Sequence, residues 1–128
     1  MDVVDLPPTR GCEMLLYALI VFLVGAAGGL ALASYVLRGR LAPWALSLLH
    51  ALLGASGLIL LGAAILTGEG VGALPVVALG VFVVAALFGF YLASIHYGKR
   101  VALKRVVLTH AGVAVTGAVL LIAAVVMQ

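Results

Sequence analysis

The chain has very little charge and almost no cysteine. Only 9% of its 128 residues are charged, whereas 66% are hydrophobic. A soluble domain usually carries about 25% charged residues, because it needs polar side chains to cover its surface. This composition excludes a soluble enzyme, a disordered chain and a nucleic-acid-binding arm, and it indicates that lipid surrounds most of the chain. The single cysteine, Cys12, excludes an internal disulfide, a CxxC redox pair and a thiolate zinc site.

Charged residues divide the sequence into four long uncharged runs. They cover residues 14–37, 41–67, 70–97 and 106–128. About 20 apolar residues cross a bilayer core of about 30 Å, and a β-barrel would need more and shorter segments. We therefore predict an all-α membrane protein with four transmembrane helices in an up-down bundle, forming one transmembrane domain over residues 1–128. The predicted helices lie at approximately 13–38, 42–67, 74–97 and 101–127.

Glycine and proline mark the ends of these runs. Gly39 follows the first run, where a helix C-cap favours glycine, and Gly98 follows the third. Pro43 is predicted in the first turn of the second helix, and Pro75 opens the third.

The charged residues are distributed unevenly between the two ends of the predicted bundle. Six of the seven cations fall in the turns 38–40 and 98–105, and the four anions, Asp2, Asp5, Glu13 and Glu69, fall in the N-terminal segment or the 68–72 turn. The positive-inside rule places the basic turns in the cytoplasm and both termini outside. We expect a multi-pass protein of the cell (inner) membrane. A direct role of the cations with an anionic ligand is the alternative interpretation.

The sequence contains an internal repeat with a period of 60 residues. Residues 21–66 align without gaps on 81–126, and eighteen of the 46 pairs are identical. The matched pairs include Phe22/Phe82, Gly29/Gly89, Arg40/Arg100, His50/His110 and Gly57/Gly117. Each repeat, at approximately 14–67 and 74–127, is a two-helix hairpin, so the two repeats are parallel. Helices 2 and 4 are then expected to face each other across one diagonal of the bundle, with helices 1 and 3 on the other.

The repeated histidines are the candidate functional residues. His50 and His110 are each expected about 10 Å inside the membrane, at the same depth. Ionisable side chains at such depths are rare and usually face the bundle interior. Small residues follow on the same helix face, four and seven positions later. They are Gly54 and Gly57 in helix 2, and Ala114 and Gly117 in helix 4.

One haem b fits this pattern. His50 and His110 would ligate its iron, the four small residues would admit the macrocycle, and the propionates would turn toward Arg40 and Arg100. The arrangement resembles the four-helix, bis-histidine core of membrane b-type cytochromes, in which haem lies between the second and fourth helices. That resemblance is architectural and covers residues 14–127. It implies electron transfer, with quinol or a redox subunit as the partner.

Other interpretations remain open at this stage. The two histidines are also compatible with packing, a proton relay, or a metal or small-molecule site, although two imidazoles are too few for a stable zinc site. A cofactor-free structural or assembly subunit and a small transporter are the alternative functions, and a homo-oligomer is compatible with the pattern. No catalytic constellation is present, so any chemistry would come from a cofactor. His96, at the end of helix 3, is either an interfacial polar residue or a propionate partner or proton carrier.

Three further expectations concern the residues around the histidines. Helices 1 and 3 are expected to close the sides of the site, with Gly25 and Gly29 against Ala85 and Gly89, and Phe82 is expected to face lipid or fill the core. Six hydroxyl side chains are expected to bond backbone carbonyls of their own helices: Ser34, Ser47, Ser56, Ser94, Thr109 and Thr116.

Overall fold

The computed structural model describes residues 9–68 and 72–128, and within them all regular secondary structure is α-helical. The four helices are α1 (Thr9–Leu37), α2 (Trp44–Thr67), α3 (Ala73–Tyr97) and α4 (Lys104–Val126). Each contains a segment long and apolar enough to cross a membrane. The chain is therefore a multi-pass integral membrane protein with the four predicted helices. The expectations for Asp2, Asp5 and Glu69 lie outside the described residues.

The helices form an up-down bundle built from two hairpins. Contacts are most extensive within the hairpins α1–α2 and α3–α4, and the hairpins meet through α1–α4 and α2–α3. Each helix thus has two neighbours, and the diagonals are α1/α3 and α2/α4. This is the arrangement expected from two parallel repeats.

The two turns at the basic end of the bundle, residues 38–40 and 98–105, have matching backbone geometry. Gly39 and Lys99 stand at equivalent positions and both adopt the left-handed conformation, with φ of 69° and 53°. In each turn the next residue, Arg40 or Arg100, donates its amide to a carbonyl five residues earlier. This closes the helix in a Schellman-like turn. Gly98 has an ordinary φ of −72°, so a lysine occupies the position at which α3 would favour glycine.

Helices α2 and α4 begin later than predicted. Pro43 and Leu103 are their N-caps, with extended backbones at φ −59°, ψ 134° and φ −66°, ψ 129°. The prediction that Pro43 lies within the first turn of α2 is therefore wrong by one position. Its fixed φ suits the extended residue before the helix, where no backbone N–H is needed for a helical hydrogen bond.

The tightly packed core lies in the half of the bundle away from the basic end. It consists of Leu15, Ala18, Leu19, Leu61, Ala64, Ala78, Phe82 and Leu121. Toward the basic end this packing stops at Gly57 on α2. On α4 it stops at Gly117, beyond which Val107 is the one buried helix residue. Both histidines lie in this second, less densely packed half.

Candidate functional site

His50 on α2 and His110 on α4 lie next to each other across the bundle. Their ring centroids are 6.1 Å apart, and the ring planes cross at 79°. The two residues come from diagonally opposed helices that run in the same direction, which is why they meet at one depth. The structure confirms the prediction that the two side chains face one another.

Backbone carbonyls of the neighbouring helices orient both imidazoles. The Nδ1 of His50 donates to the carbonyl of Gly25 on α1, and the Nδ1 of His110 donates to that of Ala85 on α3, each at 2.9 Å. A carbonyl can only accept, so Nδ1 carries the proton and Nε2 keeps a lone pair. The two hydrogen bonds are related by the 60-residue repeat. Each neutral imidazole is thus held as the Nδ1–H tautomer by a carbonyl of its own hairpin.

Repeated glycines let the rings lie against α1 and α3. A Cβ added to Gly29 would be 3.0 Å from Cε1 of His50, and one added to Gly89 would be 3.4 Å from Cε1 of His110. The missing side chains thus make space for the imidazoles. From the sequence we expected Gly29 and Gly89 to close the sides of the site, and in the structure they pack directly against the two imidazoles.

A stacked pair of phenylalanines lies below the histidines, toward the packed core. Phe22 and Phe82 have centroids 3.8 Å apart and planes within 5° of parallel. A Cβ on Gly57 would come within 2.8 Å of the Phe22 ring, and one on Gly117 within 3.0 Å of the Phe82 ring. These two glycines therefore make room for phenylalanine, not directly for a macrocycle as we expected. Sequence reasoning assigned Phe82 to lipid or core, and its burial confirms the core assignment.

Gly54 and Ala114 lie between the levels of the histidines and of the stacked phenylalanines. Both residues are half-buried, one helical turn from His50 and His110. A Cβ added to Gly54 would meet no heavy atom within 4 Å. The sequence prediction that small residues leave room beside the histidines therefore holds best at this level of the bundle.

The two arginines expected near haem propionates lie in the turns of the basic end. Arg40 lines an open pocket of about 190 Å³ together with Ser34, Tyr35 and Arg38. Arg100 is exposed, with its Nε 3.6 Å from the position of a Cβ on Gly98. The structure thus groups Arg40 with side chains at the end of α1 and not with the histidines.

His96 takes part in an interaction that the sequence did not reveal. Its Nδ1 lies 2.7 Å from the Oγ of Ser47 on α2, and Trp44 packs edge-on against its ring at a centroid distance of 5.0 Å. We predicted that Ser47 would bond a carbonyl of its own helix, and this is wrong because the hydroxyl bridges α2 and α3. The same prediction is confirmed for the hydroxyls of Ser34, Ser56, Ser94, Thr109 and Thr116. The repeat partners of Ser47 and His96 are Val107 and Val36, so this polar contact is not duplicated.

Few side chains in the described part of the chain could ligate a metal ion. This part contains no group of three or more histidine, cysteine, aspartate or glutamate side chains that could together hold a metal ion. Two opposed imidazoles suit a centre whose remaining ligands come from elsewhere, as a porphyrin supplies four nitrogens to iron. In comparisons with known proteins, no family, no curated protein and no solved structure matches this chain.

Proposed function

We propose that the protein is a small membrane cytochrome that holds one haem b between α2 and α4. The observation that carries this proposal is the histidine pair. His50 and His110 face each other at the same depth, each with Nδ1 tied to a backbone carbonyl and Nε2 left as a ligand. A metal-ligating histidine typically donates its other ring N–H in this way, which fixes the ring and raises its basicity.

The separation of the rings supports two axial ligands on one iron. A metal–imidazole bond is about 2.0–2.1 Å, and each nitrogen lies about 1.1 Å from the ring centre for ring bonds of about 1.33 Å. Two imidazoles on opposite sides of one iron would therefore have centroids about 6.3 Å apart. The observed 6.1 Å is close to this value. Two rings packed edge to face have centroids about 4.5–7 Å apart, so the spacing fits ligation of one iron and also fits direct packing.

The packing around the histidines supports a bulky planar ligand. On α2 and α4 the next interior positions from Gly57 and Gly117 toward the histidines are the half-buried small residues Gly54 and Ala114, although Val107 beyond His110 is buried again. The stacked Phe22 and Phe82 give this region a flat apolar floor. A floor that excludes water would lower the local polarity at the site, which is one of the factors that set a haem potential.

When bound, the haem would supply reversible one-electron transfer at its iron. The protein's own residues have three tasks. His50 and His110 bind, the carbonyls of Gly25 and Ala85 orient them, and the apolar helices exclude water. A contact of Arg40 and Arg100 with the propionates stays a prediction, and we keep Arg100 as the better candidate because Arg40 lies with Arg38.

The orientation and the redox partner belong to the same proposal. The charge distribution favours the basic end on the cytoplasmic side of the inner membrane and both termini outside. A quinol or a membrane redox subunit is the expected partner, since soluble segments large enough to bind a substrate are missing from the described residues.

The alternatives are a cofactor-free structural subunit and a small transporter. Proton-coupled transporters carry acidic or histidine side chains within the membrane. Among the described residues the one side-chain carboxylate is Glu13, which is exposed in the second turn of α1. The hydrogen bonds to the two carbonyls would satisfy the imidazoles in either alternative, so the spectrum of the purified protein separates the three functions.

Histidine variants test the proposal. The protein should be expressed with ample haem, purified, and compared with His50→Ala, His110→Ala and His96→Ala by absorption spectroscopy. We expect a six-coordinate spectrum for the wild type and for His96→Ala, whereas loss of either axial ligand should give a high-spin spectrum or remove the haem. Far-UV circular dichroism controls for folding. A spectrum that survives unchanged in His50→Ala or His110→Ala would contradict the site.

A further inference from the structure

The C-terminal end of α1 carries a second polar site, which shares only Arg40 with the proposed haem site. Arg38 and Arg40 line an open pocket of about 190 Å³ with Ser34 and Tyr35. The hydroxyl of Ser34 already donates to the carbonyl of Ala31. The remaining polar side chains of the residues that line the pocket are those of Tyr35, Arg38 and Arg40.

This pocket faces away from the bundle axis. Phe22 marks the interior face of α1, because it stacks on Phe82 across the axis. At 3.6 residues per turn, Tyr35 lies about 140° and Arg38 about 160° around the helix from Phe22. The site therefore opens toward the surrounding lipid. The last turn of a membrane-spanning helix lies at the level of the lipid headgroups.

No side-chain carboxylate lies near the two arginines on the preceding helix, α1. Glu13, the one side-chain carboxylate among the described residues, stands 25 positions before Arg38 on α1. At 1.5 Å per residue this places it about 37 Å away, near the opposite end of the helix. An anion from outside the chain is therefore the natural partner of the pair.

The equivalent turn of the second repeat lacks this site. The counterparts of Tyr35 and Arg38 are Ile95 and Gly98, while Ser94 and Arg100 match the other two residues. The backbone turns are alike in the two repeats, so the difference lies in the side chains. Orientation of the protein in the membrane requires only positive charge. It does not explain why a tyrosine and a second arginine accompany Arg40 in the first repeat and not Arg100 in the second.

We propose that Arg38 and Arg40 bind the phosphate of an anionic phospholipid such as phosphatidylglycerol. A guanidinium presents paired N–H donors that match phosphate oxygens, and two of them beside a tyrosine form a compact anion site. Basic pockets at the headgroup level of membrane helices bind acidic lipids by this chemistry. Lipid binding at this site does not require haem, because Tyr35 and Arg38 lie on the side of α1 away from the histidines.

Native mass spectrometry of the purified full-length protein tests this site. Phosphatidylglycerol, phosphatidylcholine and inorganic phosphate are titrated separately into detergent micelles. We expect one phosphatidylglycerol per chain, and at least about tenfold weaker binding of it in the double variant Arg38→Gln/Arg40→Gln. The control Arg100→Gln/Lys104→Gln removes the same charge from the other basic turn and should change the affinity by less than about twofold. Equal losses in both variants, or equal binding of phosphatidylcholine, would overturn the proposal. Inorganic phosphate that competes at a similar concentration would show a free-anion site instead and would also overturn it.

A gain-of-function variant keeps the test independent of folding defects in the arginine variants. Ile95→Tyr/Gly98→Arg installs the two missing side chains in the second repeat. Gly98 tolerates a side chain, since its φ is −72° and the nearest atom to an added Cβ is 3.4 Å away. We expect this variant to bind two phosphatidylglycerol molecules. A stoichiometry that stays at one would contradict the assignment of binding to these four side chains.

Discussion

Alanine substitutions of three glycines should have opposite effects on stability, and the structure shows why. In α2, Gly57→Ala would bring a Cβ to 2.8 Å from the Phe22 ring, which cannot retreat easily because it stacks on Phe82. Such overpacking typically costs about 1–3 kcal/mol, partly offset by the helix preference of alanine over glycine of about 1 kcal/mol. We expect a net loss of up to about 2 kcal/mol for Gly57→Ala. A smaller loss is expected for Gly117→Ala, whose Cβ would lie 3.0 Å from Phe82.

Gly54→Ala is the matched control on the same helix face. Its Cβ would meet no atom within 4 Å, and the equivalent residue of the other repeat, Ala114, is already alanine. This variant should gain up to about 1 kcal/mol from helix propensity alone. Reversible unfolding in mixed micelles, followed by far-UV circular dichroism, measures all three variants. Adding Phe22→Leu should recover much of the loss in Gly57→Ala. The reasoning would be refuted if Gly57→Ala and Gly54→Ala had the same stability.

Three further predictions concern the turns and the interface between the hairpins. Lys99→Gly should raise the unfolding free energy by about 1 kcal/mol, because Lys99 adopts a left-handed φ of 53°; an unchanged or lower stability would contradict this. Ser47→Ala should cost about 0.5–1.5 kcal/mol by removing the 2.7 Å hydrogen bond to His96, whereas serines that bond only their own helix should cost less. A cysteine at Leu41, in a Cys12→Ser background, should react with an impermeant thiol reagent only from the cytoplasmic side, and labelling from outside would refute the orientation.

The number, type and arrangement of the helices could be predicted because they follow from composition and repetition. Uncharged runs long enough to cross a membrane leave few alternatives to helices, and a parallel repeat of two hairpins places α2 and α4 on one diagonal. Helix starts were less accurate. The repeat pairs Pro43 with Leu103. Because the fixed φ of proline suits the extended residue before a helix, this pairing could have predicted that Leu103 is also an N-cap and that α4 begins at Lys104 and not near 101.

The contents of the site were predictable only in part. The meeting of His50 and His110 follows from the repeat, because equivalent positions on diagonal helices share one depth. The positions of Phe22 and Phe82 did not follow, since nothing in the sequence shows which neighbour fills the space above a glycine. The contact of Ser47 with His96 depends on how two hairpins dock, and the repeat carries no signal for it.

The central claim is that His50 and His110 hold a single haem, and a reduced-minus-oxidised absorption spectrum with a haem assay tests it most directly. The full-length protein should be purified from cells supplied with haem, and both chain and haem should be quantified. The account predicts a b-type difference spectrum from a six-coordinate centre, with one haem per chain, since each ligand helix offers one histidine within its span. A folded protein that is colourless under these conditions, or one that binds two haems per chain, would contradict it.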